Sequence, residues 1–155
     1  AEPQLKLLLV DDHAVVRSGL GAFLEVFDDL ALVGEASNGA EAVRVCAALK
    51  PDVVLMDLMM PKLDGIAAIA QLHPRMPATR FLILTSLVEP GEIRRAIDAG
   101  AAGYLLKNAS SQELVSVIRS TMPSRSGWVT SSIRPPLSIA SMLFRSRFRR
   151  TCLSC

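Results

Sequence analysis

The sequence predicts an α/β fold over residues 1–121, a doubly wound parallel sheet built from a strand and a helix repeated five times. Three observations carry that expectation. Five short apolar runs recur about every twenty to thirty residues. They are nearly continuous rather than alternating, as strands covered on both faces are. The segments between them repeat apolar residues at helical spacing.

The first run, residues 5–10, is followed by Val16, Leu20, Phe23, Leu24 and Phe27, which share one helical face. The second run, residues 31–33, leads past Gly34 and Gly39 into a helix carrying Ala40, Val43 and Ala47. The third, residues 53–56, precedes Ile66, Ile69 and Ala70. The fourth, residues 81–84, precedes Ile93, Ala96 and Ile97, and Gly100 supplies the stop. The fifth, residues 104–106, precedes Leu114, Val117 and Ile118, with Ser110 or Ser111 as the cap. Strands alternating with helices through short connections favour one parallel sheet with right-handed crossovers and helices on both faces.

Residues 122–155 are a different polymer. Up to Thr121 the chain holds 11 basic and 15 acidic residues, whereas from Met122 onward it holds six arginines and no acid. Pro123, Pro135, Pro136 and many serines replace the Ala, Leu and Val of the first part. This tail reads as linker-like, truncated or out-of-frame sequence, or as a disordered basic end. A short basic amphipathic helix around Ile139, Met142 and Leu143 is also compatible with it. With 155 residues and a mean hydropathy of +0.36, the whole chain has the size of one globular domain. No apolar run nears the roughly 18 residues of a membrane-spanning helix, and no signal peptide pattern opens the sequence. Three cysteines make no disulfide framework, and Cys152 with Cys155 is only half a zinc site. A cytoplasmic protein without a membrane partner is expected.

Ligands of such sheets bind beyond the C-terminal strand ends. Asp11 and Asp12 stand at the end of the first strand, Asp57 at the third, Thr85 and Ser86 at the fourth, and Lys107 at the fifth. Three converging carboxylates repel one another unless a cation compensates. A hard divalent ion suits oxygen ligands, and Mg²⁺ needs only one or two carboxylates besides a carbonyl and waters. With Thr85 and Lys107 beside it, Asp57 has the surroundings of a carboxylate nucleophile that accepts a phosphoryl group.

This constellation resembles the receiver domain of bacterial response regulators. The resemblance rests on Leu9-Val10-Asp11-Asp12-His13, on Val54-Leu55-Met56-Asp57-Leu58-Met59-Met60-Pro61 with Asp64-Gly65, on Leu84-Thr85-Ser86, and on the stretch from Ala99 through Gly103-Tyr104-Leu105-Leu106-Lys107. It implies a flavodoxin-like receiver fold with Asp57 as phosphoacceptor and with Mg²⁺ held by Asp11, Asp12, Asp57 and the Met59 carbonyl. It further implies Thr85 and Tyr104 as switch residues and Lys107 as the phosphate-binding lysine. The opening Asp-Asp-His and the closing Gly-Tyr-Leu-Leu-Lys are most similar to the NarL/FixJ (LuxR-type) subfamily, whose members usually add a helix-turn-helix domain. Asn108 stands where many receivers have a proline. The implied function is two-component signalling: a sensor histidine kinase phosphorylates the chain, homodimerisation follows, and an intact parent controls transcription. Specific DNA binding by this chain itself is not expected, because residues 122–155 lack a two-helix pattern. In receivers the residues two positions after the acceptor and the switch threonine influence attacking water; here they are Met59 and Leu87, which implies slow autodephosphorylation.

Simpler readings stand beside these. Asp11 and Asp12 are also plausible helix caps, Asp57 a polar strand end, Thr85 and Lys107 exposed residues, Tyr104 a packing residue, and His13 a surface residue of the first helical turn. An aspartyl-nucleophile phosphohydrolase is the competing function, as is a stand-alone phosphorelay receiver. The phosphohydrolase usually wants a second aspartate two residues after the nucleophile, where Met59 stands. A flavodoxin-like small-ligand binder would need a Gly- or Ser-rich phosphate loop after the first strand, not an acidic one.

Overall fold

The structure, a computed structural model, describes residues 4–60, 64–86 and 89–121. Ten elements alternate along the chain: β1 (Leu5–Val10), α1 (Ala14–Leu24), β2 (Leu30–Ala36), α2 (Gly39–Leu49), β3 (Val53–Asp57), α3 (Gly65–Leu72), β4 (Arg80–Thr85), α4 (Pro90–Ala99), β5 (Gly103–Leu106) and α5 (Ser111–Thr121). All strand pairs are parallel, in the order β2-β1-β3-β4-β5. The chain leaves β1 toward one edge and returns to β3 on the other side of it. The order therefore reverses between β1 and β3, and a crevice opens beyond their C-terminal ends.

Alternate residues of each buried strand feed two cores. Leu8, Val10, Val54, Met56, Phe81, Ile83 and Tyr104 face α2, α3 and α4, where Ala42, Cys46, Ile69, Leu72, Ile93 and Ala96 meet them. Leu7, Leu9, Val53, Leu55, Leu82, Leu84 and Leu105 face α1 and α5, against Leu24, Leu114, Val115 and Ile118. Burial on both faces explains why these strands read as continuous apolar runs.

Two local expectations change. Gly34 does not lead into α2; it lies inside β2, which extends to Ala36 and pairs Gly34 with Leu8 after a register shift between Leu7 and Leu8. A Cβ there would stand 2.7 Å from Leu49 Cδ1, so glycine lets α2 close onto the strand. β2 is an edge strand with half-exposed residues, which is why its apolar run is shorter than the strand. Phe27 is not on α1, which ends at Leu24; it packs edge-on against Phe23 with ring centroids 5.2 Å apart. Asn38 caps α2 through Glu41 N–H, Asp64 caps α3 through Ala67 N–H, and Ser110 caps α5 through Glu113 N–H. Gly100 ends α4 at φ 130°, and a Cβ on it would collide with the His73 ring at 2.4 Å. The 122–155 tail lies outside the described residues, as do Pro61 and Leu87.

Candidate functional site

Asp57 is the last residue of β3, and Asp11 follows β1 directly, so neighbouring strands deliver two carboxylates to the crevice. Both are buried, Asp11 at 0% and Asp57 at 4% exposure. The backbone fixes Asp11 in place: its amide donates to the Ala36 carbonyl at 3.1 Å, and its Oδ1 accepts the His13 amide at 2.8 Å. Asp57 Oδ1 accepts the Met59 amide at 3.2 Å. Asp12 and the exposed His13 complete the rim, and one potential ligand atom each from Asp11, Asp12, His13 and Asp57 lies within 4.8 Å of the others.

Lys107 reaches into this cluster from the end of β5. Its amide donates to the Thr85 carbonyl at 2.8 Å, which ties the two strand ends together. Its Nζ lies 2.9 Å from Asp11 Oδ2 and 3.1 Å from Asp57 Oδ2. The two carboxylates respond differently. Burial alone raises Asp11, but hydrogen bonds from Lys107 and from the His13 backbone and ring outweigh it and hold Asp11 below the usual carboxylate value. Burial wins at Asp57 and raises its pKa; Lys107 opposes this, and the charge of Asp11 adds to it. Burial lowers Lys107 and the two carboxylates raise it; the carboxylates win.

Thr85 ends β4, buried, beside β3. Tyr104 pairs with Ile83 on β5 and packs in the core beneath α4, where burial raises its phenol pKa. It is therefore a packing residue one layer below the crevice. Met59 is the outlier: its amide holds Asp57 while its side chain is 75% exposed. Gly65 makes the corner possible. Its amide donates to the Leu58 carbonyl, and a Cβ there would lie 2.4 Å from the Asp57 carbonyl oxygen.

Two alternatives from the sequence lose support. The N-cap of α1 is His13, and no side chain caps that helix, so Asp11 and Asp12 are not its caps. Lys107 is not a free surface residue. His13 is exposed at the start of α1, as its reading as a surface residue has it, and its Nδ1 also stands 2.9 Å from Asp11 Oδ1 and 3.0 Å from Asp12 Oδ1. One neighbour was not singled out in the sequence. Arg17 donates from its guanidinium to the Asp11 carbonyl and lies 3.6 Å from Glu35 Oε2. A basic residue six positions after Asp11 carries no sequence signal, because the contact depends on how α1 docks against β1 and β2.

The donor set fits a hard divalent cation: oxygens dominate, they converge, and Asp11 and Asp57 are paired by a single lysine. All described peptide bonds are trans, that between Lys107 and Asn108 included. Among the described residues no helix is long and apolar enough to cross a membrane.

Comparison with known proteins agrees with this geometry. Residues 7–119 match the response regulator receiver domain family. The response regulator protein VraR of Staphylococcus aureus is 41% identical over 117 residues, which are 76% of this chain and 56% of VraR. The chain thus spans about half the length of the curated relatives it matches. Among solved structures, a LuxR-family two-component response regulator from Aurantimonas superposes with a TM-score of 0.72 at 36% identity, covering 76% of this chain and 84% of that one. The response regulator domain of Thermotoga maritima CheB gives 0.70 at 34% identity, covering 79% and 98%.

Proposed function

Because this chain belongs to the response regulator receiver domain family, we propose that its acidic crevice takes a phosphoryl group onto Asp57 and relays the change to the face formed by α4, β5 and α5. The observation that carries this reading is Lys107 Nζ lying between Asp11 and Asp57, 2.9 and 3.1 Å away. A buried carboxylate with a raised pKa is a good nucleophile once ionised, and Lys107 favours the ionised form. An Asp57 oxygen attacks phosphorus in line, the bond from phosphorus to the donor nitrogen or oxygen breaks, and an acyl phosphate remains. Lys107 then pairs with the arriving phosphoryl oxygens, and the Thr85 hydroxyl donates to them. Asp11, Asp12, Asp57 and the Met59 carbonyl would hold Mg²⁺, which supplies positive charge against the charge of the phosphoryl group.

The donor class is a sensor histidine kinase, and the output is homodimerisation, with Tyr104 following Thr85 as it turns toward the phosphate. The setting is the cytoplasm. The chain acts as a self-phosphorylating acceptor with slow autodephosphorylation and not as an enzyme on a separate substrate; the exposed thioether of Met59 offers water no strong hydrogen bond. Its position, where a phosphohydrolase would place an acid, weighs against that reading.

Acetyl phosphate with Mg²⁺ tests the acceptor. Intact mass should show one phosphoryl group on the chain and none on a folded Asp57→Asn variant. Labelling that persists in Asp57→Asn overturns the assignment.

A further inference from the structure

The structure places one large apolar side chain in open solvent at the rim of the acidic crevice. Among the described residues only Val15, Val26, Leu49 and Met59 are exposed large hydrophobics, and Met59 is 75% exposed. The other described methionines are protected: Met56 is fully buried in β3, while Met60 and Met76 are half-buried against the core. Met59 is also fastened to the reactive carboxylate, because its amide donates to Asp57 Oδ1 at 3.2 Å. Met59 lines a cavity of about 600 Å³ together with Asp12, Met60, Asp64 and Ile66, so small solutes reach it beside one carboxylate of the acid cluster.

Packing does not account for an exposed thioether there. We propose that Met59 is an oxidant-sensing modification site, whose conversion to the sulfoxide shortens the life of the Asp57 phosphate. This rests on Asp57 being the acceptor. The oxidant class is a peroxide. The sulfur lone pair attacks one peroxide oxygen, the O–O bond breaks, and the second oxygen leaves as water, so sulfur is oxidised by two electrons and the peroxide is reduced by two. Among the described residues the thiol route is closed, because Cys46 is fully buried and burial pushes its pKa up to about 12.

The product changes the chemistry of the rim. A thioether is a weak acceptor, whereas the sulfoxide oxygen is a strong one on a side chain that becomes polar. The Met59 backbone is tied to Asp57, and from that anchor the sulfoxide oxygen accepts a hydrogen bond from water and orients it toward phosphorus. Water then adds to phosphorus, the bond from phosphorus to the Asp57 oxygen breaks, and Asp57 returns as a carboxylate with inorganic phosphate released. Reduction of the sulfoxide by a methionine sulfoxide reductase restores the slow state.

The test uses the full chain and dilute hydrogen peroxide. Peptide mapping should find oxygen on Met59 before Met56, Met60 or Met76. After labelling with acetyl phosphate and Mg²⁺, the oxidised chain should lose phosphate roughly two- to tenfold faster, the effect of about one hydrogen bond to the attacking water. Whatever its own labelling and decay rates, Met59→Leu should decay equally before and after peroxide, and reductase treatment of the oxidised wild type should restore its original lifetime. Oxidation of Met59 no faster than of Met60 and Met76 overturns the proposal, as does an equal lifetime before and after. A chain that accepts no phosphoryl group before peroxide overturns the acceptor assignment and with it the lifetime effect; the mapping still reports separately on the site of oxidation.

Discussion

Arg17 reaches back across the turn into α1 and donates a hydrogen bond from its guanidinium to the Asp11 main-chain carbonyl. Asp11 is thereby held from three sides, by Arg17, by the Ala36 carbonyl that its own amide reaches, and by the His13 amide at its Oδ1. Arg17→Met keeps the apolar stem and removes the donor. It should weaken Mg²⁺ binding about ten- to 150-fold, the range of one hydrogen bond to a charged group. Titration calorimetry with Mg²⁺ reads the loss and urea unfolding checks the fold; unchanged affinity in a folded variant would show that Arg17 does not position the pair.

Lys107→Met leaves Asp11 and Asp57 facing each other without their cation. Removing one partner of a buried pair costs about 3–5 kcal/mol, and the residual exposure of Lys107, 19% of its side chain, places this case near the lower end. The pH dependence separates the two proteins. In the wild type the folded pKa of Asp11 is depressed, so its contribution is present above the ordinary carboxylate pKa and is lost as pH falls through the lower folded value. In the variant the unpaired carboxylates take up protons more readily when folded, so stability rises as pH falls from neutrality. The stability gap measured in urea should therefore narrow toward acid, and Mg²⁺ should narrow it at neutral pH. A gap that widens in acid contradicts this account.

Gly65→Ala puts a methyl group 2.4 Å from the Asp57 carbonyl oxygen and 3.1 Å from Leu58 Cα, and both of those atoms are backbone. The corner must move. A loss of roughly 1–3 kcal/mol is expected, as for overpacked sites, together with slower labelling by acetyl phosphate. Wild-type values for both in the alanine variant would show that the loop yields freely.

Lys50 ends α2 at φ 47°, in the left-handed region, with its amide donating to the Cys46 carbonyl. A side chain there carries strain that glycine avoids. Lys50→Gly should stabilise the chain by about 0.5–1 kcal/mol after the entropy of glycine is set against the relieved strain. Thermal unfolding decides, and a lowered midpoint refutes it.

Residues 122–155 carry six arginines, no acid and three prolines, which is a composition for phosphate contacts and not for a recognition helix in the major groove. The full chain should bind duplex DNA only weakly, with a steep dependence on salt and no sequence preference. Gel shifts on random duplexes at two salt concentrations test this. Selection of one sequence at moderate salt would overturn it.

The sequence by itself determined the repeat of strand and helix, since burial on both faces forces the inner strands to be continuously apolar and so makes them legible. It also determined which residues end the strands: Asp57, Thr85 and Lys107 occupy those places because polar groups are tolerated where the sheet stops. The edge strand β2 was harder to read, because half-exposed residues such as Gly34 and Glu35 carry no apolar pattern. Only the tertiary structure decided how the ends meet. Lys107 lies 50 positions from Asp57 in sequence and 3.1 Å away in space, a closeness set by the strand order β2-β1-β3-β4-β5 and not by any local spacing. The same holds for Arg17 on Asp11, for the Cβ-free approach of Gly65 to Asp57, for His13 between two aspartates, and for the exposure of Met59 against the burial of Met56 three residues earlier. Chain chemistry fixes periodicity and element ends because these depend on local burial. Contacts between elements depend on how helices and strands dock, and a linear pattern does not encode that docking residue by residue.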